Sequence, residues 1–160
     1  MNWFDIVALL LIVLIVTVES QRGFGRALFD LVGAIIAFKV ASVLARPLAG
    51  AAPLLASPDS SAALWLGIVF VLLVTLTVIA SKMLYETTLL SLDVLDPVVG
   101  ALLGFCSGAL VAHVFLKALL IAYGEGEAAN AVLTSFMGQE LLRFRSFHRI
   151  VTALQNLGNW

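Results

Sequence analysis

Long apolar runs separated by short polar breaks organise this chain. Four of them, at about 3–19, 27–45, 62–80 and 97–123, are long enough to cross a bilayer as helices. The breaks differ in kind. Ser20 to Arg26 carries two glycines and two arginines and predicts a tight hairpin, whereas Pro47, Gly50, Pro53, Pro58 and the Ser57 to Ser61 cluster predict a turn-rich loop. Ser81 to Leu95 mixes Lys82, Tyr85, Glu86 and Asp93 with leucines, as an amphipathic extension near the membrane surface would. After the Gly124-Glu-Gly-Glu127 turn, Leu141, Phe144, Phe147, Ile150, Val151, Leu154 and Leu157 share one face opposite Arg145, Arg149, Thr152 and Asn156. That pattern predicts an interfacial amphipathic helix at about 139–157. The expected fold is all-α: one four-span membrane domain, residues 1–123, and a tail, 124–160, bearing that helix.

Small residues give the spans their expected partners. Gly100, Gly104 and Gly108 recur every fourth position with Ala112 continuing the stripe, so a neighbouring helix can approach this one backbone to backbone. Gly33, Ala37 and Ala41 form a second stripe. Matched by depth, Gly33 pairs with Gly104, Ala37 with Gly108 and Ala41 with Ala112, which predicts a close contact between the second and fourth spans. The competing arrangement sets the glycine ladder against a second copy of the protein. Asp96-Pro97 reads as a helix start, with Asp as the cap and Pro in the first turn.

Composition makes lipid the solvent. Hydrophobic residues are 62% of 160 and charged residues 12%, with a mean hydropathy of +1.10, against about half and a quarter in soluble domains. A net charge of -1 offers no basic field for nucleic acid. The first apolar run has no Lys or Arg before it and no small-residue cleavage site after it, so it reads as a retained span. Arg22 and Arg26 follow it directly, which predicts a cytoplasmic hairpin and both termini outside.

Candidate chemistry is sparse. Metalloprotease, nucleotide-hydrolase and nucleophile-elbow motifs are all missing from the sequence, so neither an enzyme nor a cofactor is expected. His113, seven residues after Cys106 and four before Lys117, makes a poor metal site, because only two ligand types sit beside a cation. The candidate functional polar groups are Asp5, Arg22, Arg26, Lys39, Asp96, His113 and Lys117, since ionisable residues in or near spans are costly. Asp30 stands four residues from Arg26 and is expected to pair with it. Lys39 and Lys117 lie within snorkelling reach of the end where Asp5 starts the first span, and at least one is expected near the Asp5 carboxylate.

Trp3-x-Asp5, then Arg22-Gly23-Phe24-x-Arg26 with Leu31-Val32-Gly33, then an Asp ahead of Gly100-x-x-x-Gly104-x-x-x-Gly108, resembles the colicin V production protein (CvpA) family over residues 1–123. Pro97 and Ser107 stand where that family usually has arginines. The resemblance implies a bacterial inner-membrane accessory protein for colicin V production or export and envelope homeostasis, without established catalysis. Its expected partners are the bilayer and other membrane proteins or itself as a homo-oligomer. A small oligomeric channel or transporter, with polar residues of spans two and four along its pathway, is the alternative.

Overall fold

The computed structural model describes residues 2–88, 95–124 and 126–144. Four long helices, α1 (Trp3–Arg22), α2 (Phe24–Ala51), α3 (Pro58–Thr88) and α4 (Asp96–Tyr123), are followed by the short α5 (Glu127–Thr134) and a π-helical turn, Gly138–Leu142. The described residues contain no strand. All four long helices are long and apolar enough to cross a membrane. Leu10, Leu14, Val43, Val71, Leu72 and Leu102 each expose more than half of their surface, an outer belt that suits lipid and not water. The chain is an all-α, multi-pass membrane protein.

The helices pack as two antiparallel pairs, α1 with α4 and α2 with α3. In the first pair the glycine ladder meets α1. A methyl group built on Gly100 would lie 2.6 Å from the Glu19 carbonyl oxygen, on Gly104 3.0 Å from Val16 Cα, and on Gly108 2.9 Å from Ile12 Cα. Stepping up α4 therefore steps down α1, and further on Ala112 and Leu116 join Ala8 and Phe4 in one buried cluster. The second stripe goes elsewhere. Gly33 faces Thr77 of α3, and Ala37, Ala41 and Ala45 share a cluster with Leu66, Phe70 and Val114.

The expected pairing of Gly33 with Gly104 is thus corrected, and so is a ladder left free for a second copy. The physical reason is close approach: the three glycines let the α1 backbone at Glu19, Val16 and Ile12 come against α4, which a larger residue at any of them would prevent.

Several boundaries also shift. α2 runs through Pro47 and Gly50 to Ala51, because a proline near a helix end forfeits a single backbone bond. α3 begins earlier than expected, where Ser57 accepts the Ser60 N–H at 3.0 Å ahead of Pro58 in the first turn. The loop between them is pinned by Ser61, which bonds both polar groups of Leu55, and by the Trp65 indole, which donates to the Ala52 carbonyl at 2.8 Å. The hairpin shrinks to one residue: Gly23, at φ 81°, alone separates α1 from α2. α3 extends through part of the expected amphipathic stretch, whose residues 89–94 lie outside the described ones. The cap of α4 is Leu95, with Asp96 in its first turn. Most of the amphipathic helix expected at 139–157, its residues 145–157, also lies outside the described residues.

The tail folds back. Val132 of α5 is fully buried in the cluster of Phe4, Ala8, Ile12, Ala112 and Leu116, and Gly138 has no room for a side chain against the Val132 carbonyl.

Candidate functional site

Polar groups gather at the two ends of the bundle. At the corner end, Gly23 turns α2 back so that Arg22 reaches across the bend. Its Nη1 donates to Glu19 Oε1 at 3.3 Å and to Asp30 Oδ2 at 3.0 Å. Both acids are buried, Glu19 at 5% and Asp30 at 6% exposure. Asp30 is therefore held by Arg22 and not, as the spacing suggested, by Arg26. A helical i, i+4 pair is worth only about 0.5 kcal/mol, and the corner offers a guanidinium already facing inward. Among the described residues Glu19 Oε2, Asp30 Oδ1 and Arg26 Nε are buried without a hydrogen-bond partner, so the knot is tight but not saturated.

Asp96 completes this end. A side chain on Gly23 would pass 3.3 Å from the Asp96 carboxyl group, which places that carboxyl beside the first turn of α2. There it faces the positive end of the α2 dipole.

At the other end Asp5 is almost wholly enclosed, at 1% exposure. Its Oδ2 accepts the Asn2 N–H at 3.0 Å and its Oδ1 accepts the Met137 N–H at 2.9 Å. The expected lysine counter-ion is replaced by backbone donors: among the described residues neither Lys39 nor Lys117 forms an ion pair with Asp5. A carboxylate so supplied with N–H groups needs no cation. It latches the tail onto the start of α1.

His113 makes a second tie. Its Nδ1 lies 2.9 Å from the Leu141 carbonyl oxygen, and because a carbonyl only accepts, Nδ1 carries the proton and donates. The ring meets Phe38 edge-on at 5.4 Å and stacks near Phe144 at 6.5 Å. Lys117 sets its ammonium 4.9 Å from the centre of the Phe38 ring, a cation–π contact. Lys39 is exposed on the outer surface, and so is Cys106.

Sequence reasoning found Asp5, Arg22 and His113 but missed their partners. Glu19 and Met137 were not singled out, and Leu141 entered only as part of an apolar face. The buried acid at the end of the first apolar run, three residues before Arg22, was the one available signal.

Replacing Asp5 with Ala is expected to release the tail. Hydrogen bonds to a charged group are worth about 1.5–3 kcal/mol each, so hydrogen exchange at Met137 and Gly138 should quicken by more than about tenfold. Asn at position 5 should retain part of the protection. Unchanged exchange in the Ala variant would show that the latch contributes nothing.

Fold and polar ends together define a class: a small four-span bundle in which Arg22, Glu19 and Asp30 are tied to one another, Asp5 and His113 to backbone, and Lys117 to an aromatic ring. Its family is also defined. The sequence profile described as Colicin V production protein matches residues 4–143, and the chain belongs to that family. The match extends past the four spans and takes in α5 and the π-helical turn, so the latched tail lies within the family's extent. No curated protein and no solved structure matches the chain.

Proposed function

We propose that this protein is an accessory factor of the bacterial inner membrane that supports colicin V production or export and envelope maintenance through contacts with other membrane proteins, without catalysis. The family membership carries the reading. Internal pairing supports the mode of action: Arg22, Asp5 and His113 spend their hydrogen bonds on Glu19, Asp30, Met137 and Leu141, which suits a shaped surface better than a path for solute. Expression in colicin V-producing cells deprived of their own family member should restore toxin release. Failure to restore it, with the protein present in the membrane at normal level, would reject the reading.

In the same reading the corner end faces the cytoplasm, since Arg22 and Arg26 directly follow the first span and Lys82 lies towards the same end of α3. A cysteine placed at the exposed Gln21, with Cys106 replaced by Ser, should react with an impermeant maleimide only after cells are permeabilised. Labelling in intact cells would invert the topology.

A further inference from the structure

Between α2, α3 and α4 near the tail end lies a cavity of about 340 Å³, lined by Ser42, Ala45, Arg46, Ala62, Leu66, Lys117 and Ile121. Its charged lining is two cations and no acid. The ion pairs among the described residues all belong to Arg22, so neither Arg46 nor Lys117 has a carboxylate partner there. Asp59 lines a neighbouring cavity with Arg46 but forms no ion pair with it.

Ser42 adds a donor. Other hydroxyls in the spans return to their own helix: Thr17 donates to Val13, Thr75 to Val71 and Ser107 to Leu103, each a carbonyl four residues back. The Ser42 hydroxyl makes no such bond and is buried without a partner. Two cations and an unspent hydroxyl on one small cavity match an anion with several acceptor oxygens.

An apolar groove lies on the next faces of the same two helices, α3 and α4. Ala62 and Lys117 line the cavity, and their neighbours Ala63 and Ala118 line the groove, which continues along α3 past Gly67, Ile68, Val71 and Leu72 to Leu76 and holds about 750 Å³. From Ala63 to Leu76 a helix rises about 20 Å, enough to follow an acyl chain through one leaflet, about 15 Å of hydrocarbon. Gly67 keeps that groove open. Cβ atoms built on Gly33, Gly100, Gly104 and Gly108 would strike a neighbouring helix, but one built on Gly67 meets nothing within 4 Å. No packing contact requires that glycine, and a side chain there would fill the groove.

We propose that this surface binds one glycerophospholipid, its phosphate diester held by Arg46, Lys117 and Ser42 and one acyl chain laid along the Gly67 groove. A free phosphate would use the cations but not the groove. The site is independent of the role in colicin V production and stands or falls separately.

Native mass spectrometry of the full chain, stripped of lipid in detergent and titrated with phosphatidylglycerol, tests it. The wild type should take up one lipid, and millimolar inorganic phosphate should not displace it. Arg46→Gln with Lys117→Gln should weaken uptake at least about tenfold, the scale of losing charge-assisted hydrogen bonds, whereas Arg46→Lys with Lys117→Arg should restore most of it. Gly67→Leu should also weaken uptake while leaving thermal unfolding of the lipid-free protein unchanged, which separates groove filling from misfolding. Wild-type uptake by the double Gln variant, displacement by inorganic phosphate, or undiminished uptake by Gly67→Leu would each overturn the proposal.

Discussion

Arg22→Ala should destabilise the bundle by about 3 kcal/mol, because removing one partner of a buried ion pair leaves its acids uncompensated. Here one guanidinium serves two carboxylates, at 3.3 Å and 3.0 Å, whose side chains are each only 6% exposed. The 28% exposure of the Arg22 side chain lets some water reach the knot, which puts the loss at the lower end of the 3–5 kcal/mol usual for such a break. Lysine should recover part of the loss, since a single nitrogen, Nη1, meets both acids and an ammonium can do the same on a stem one bond shorter. Combining Arg22→Ala with Glu19→Gln and Asp30→Asn should recover more, because the orphaned charges go with it. Denaturation in detergent gives these differences directly. A loss below about 1 kcal/mol, the level of a surface pair, would mean that the corner is wetter than its geometry implies.

The second large effect is on the α1–α4 seam. Gly104→Leu must push a branched side chain into the space occupied by Val16 Cα and Glu19 Cβ, where a Cβ alone would already lie 3.0 Å and 2.8 Å away. Even Gly100→Ala and Gly108→Ala bring a methyl group to 2.6 Å from the Glu19 carbonyl oxygen and 2.9 Å from Ile12 Cα. Backbone yields only if the helices part. Overpacking of this sort costs about 1–3 kcal/mol for alanine, and leucine should cost more. Gly50→Ala is the control. Nothing lies within 4 Å of the Cβ it would add, so it should be neutral or gain a few tenths of a kcal/mol from helix propensity. The leucine variant should lose its folded monomer, seen as a lowered unfolding temperature. A variant that keeps the monomer's stability but changes only self-association would place the ladder between copies instead.

The four spans were legible because their signal is local: apolar length, polar breaks and a glycine every fourth residue all act within one helix. Which stripe meets which helix was not. Depth matching ranks any two small stripes as compatible, and the α1 face of Phe4, Ala8, Ile12 and Val16 looks, residue by residue, like a face for lipid. The same limit explains the partners of the charges. Asp30 has Arg26 nearer in sequence, but one glycine at φ 81° brings Arg22 over it. Asp5 is bonded to a backbone N–H 132 residues away, and a backbone donor carries no residue signature. Proline and glycine near the end of α2 read as breakers because a breaker's cost depends on how many backbone bonds follow it. At Pro47 few do.

Whether this protein works by contact or by conduction turns on its polar groups. A pathway would set Lys39, His113 and Lys117 along an aqueous lining. Lys39 is exposed on the outer surface, His113 donates to Leu141, and Lys117 leans on Phe38 at the edge of the cavity it shares with Arg46, so the three share no common lining. Flux through purified protein in liposomes, read with an internal pH dye and a potassium gradient, is the most direct measurement. The contact reading expects no proton or cation flux above that of empty vesicles, with wild type and His113→Ala alike. Flux that appears with the wild type and vanishes with His113→Ala would contradict it.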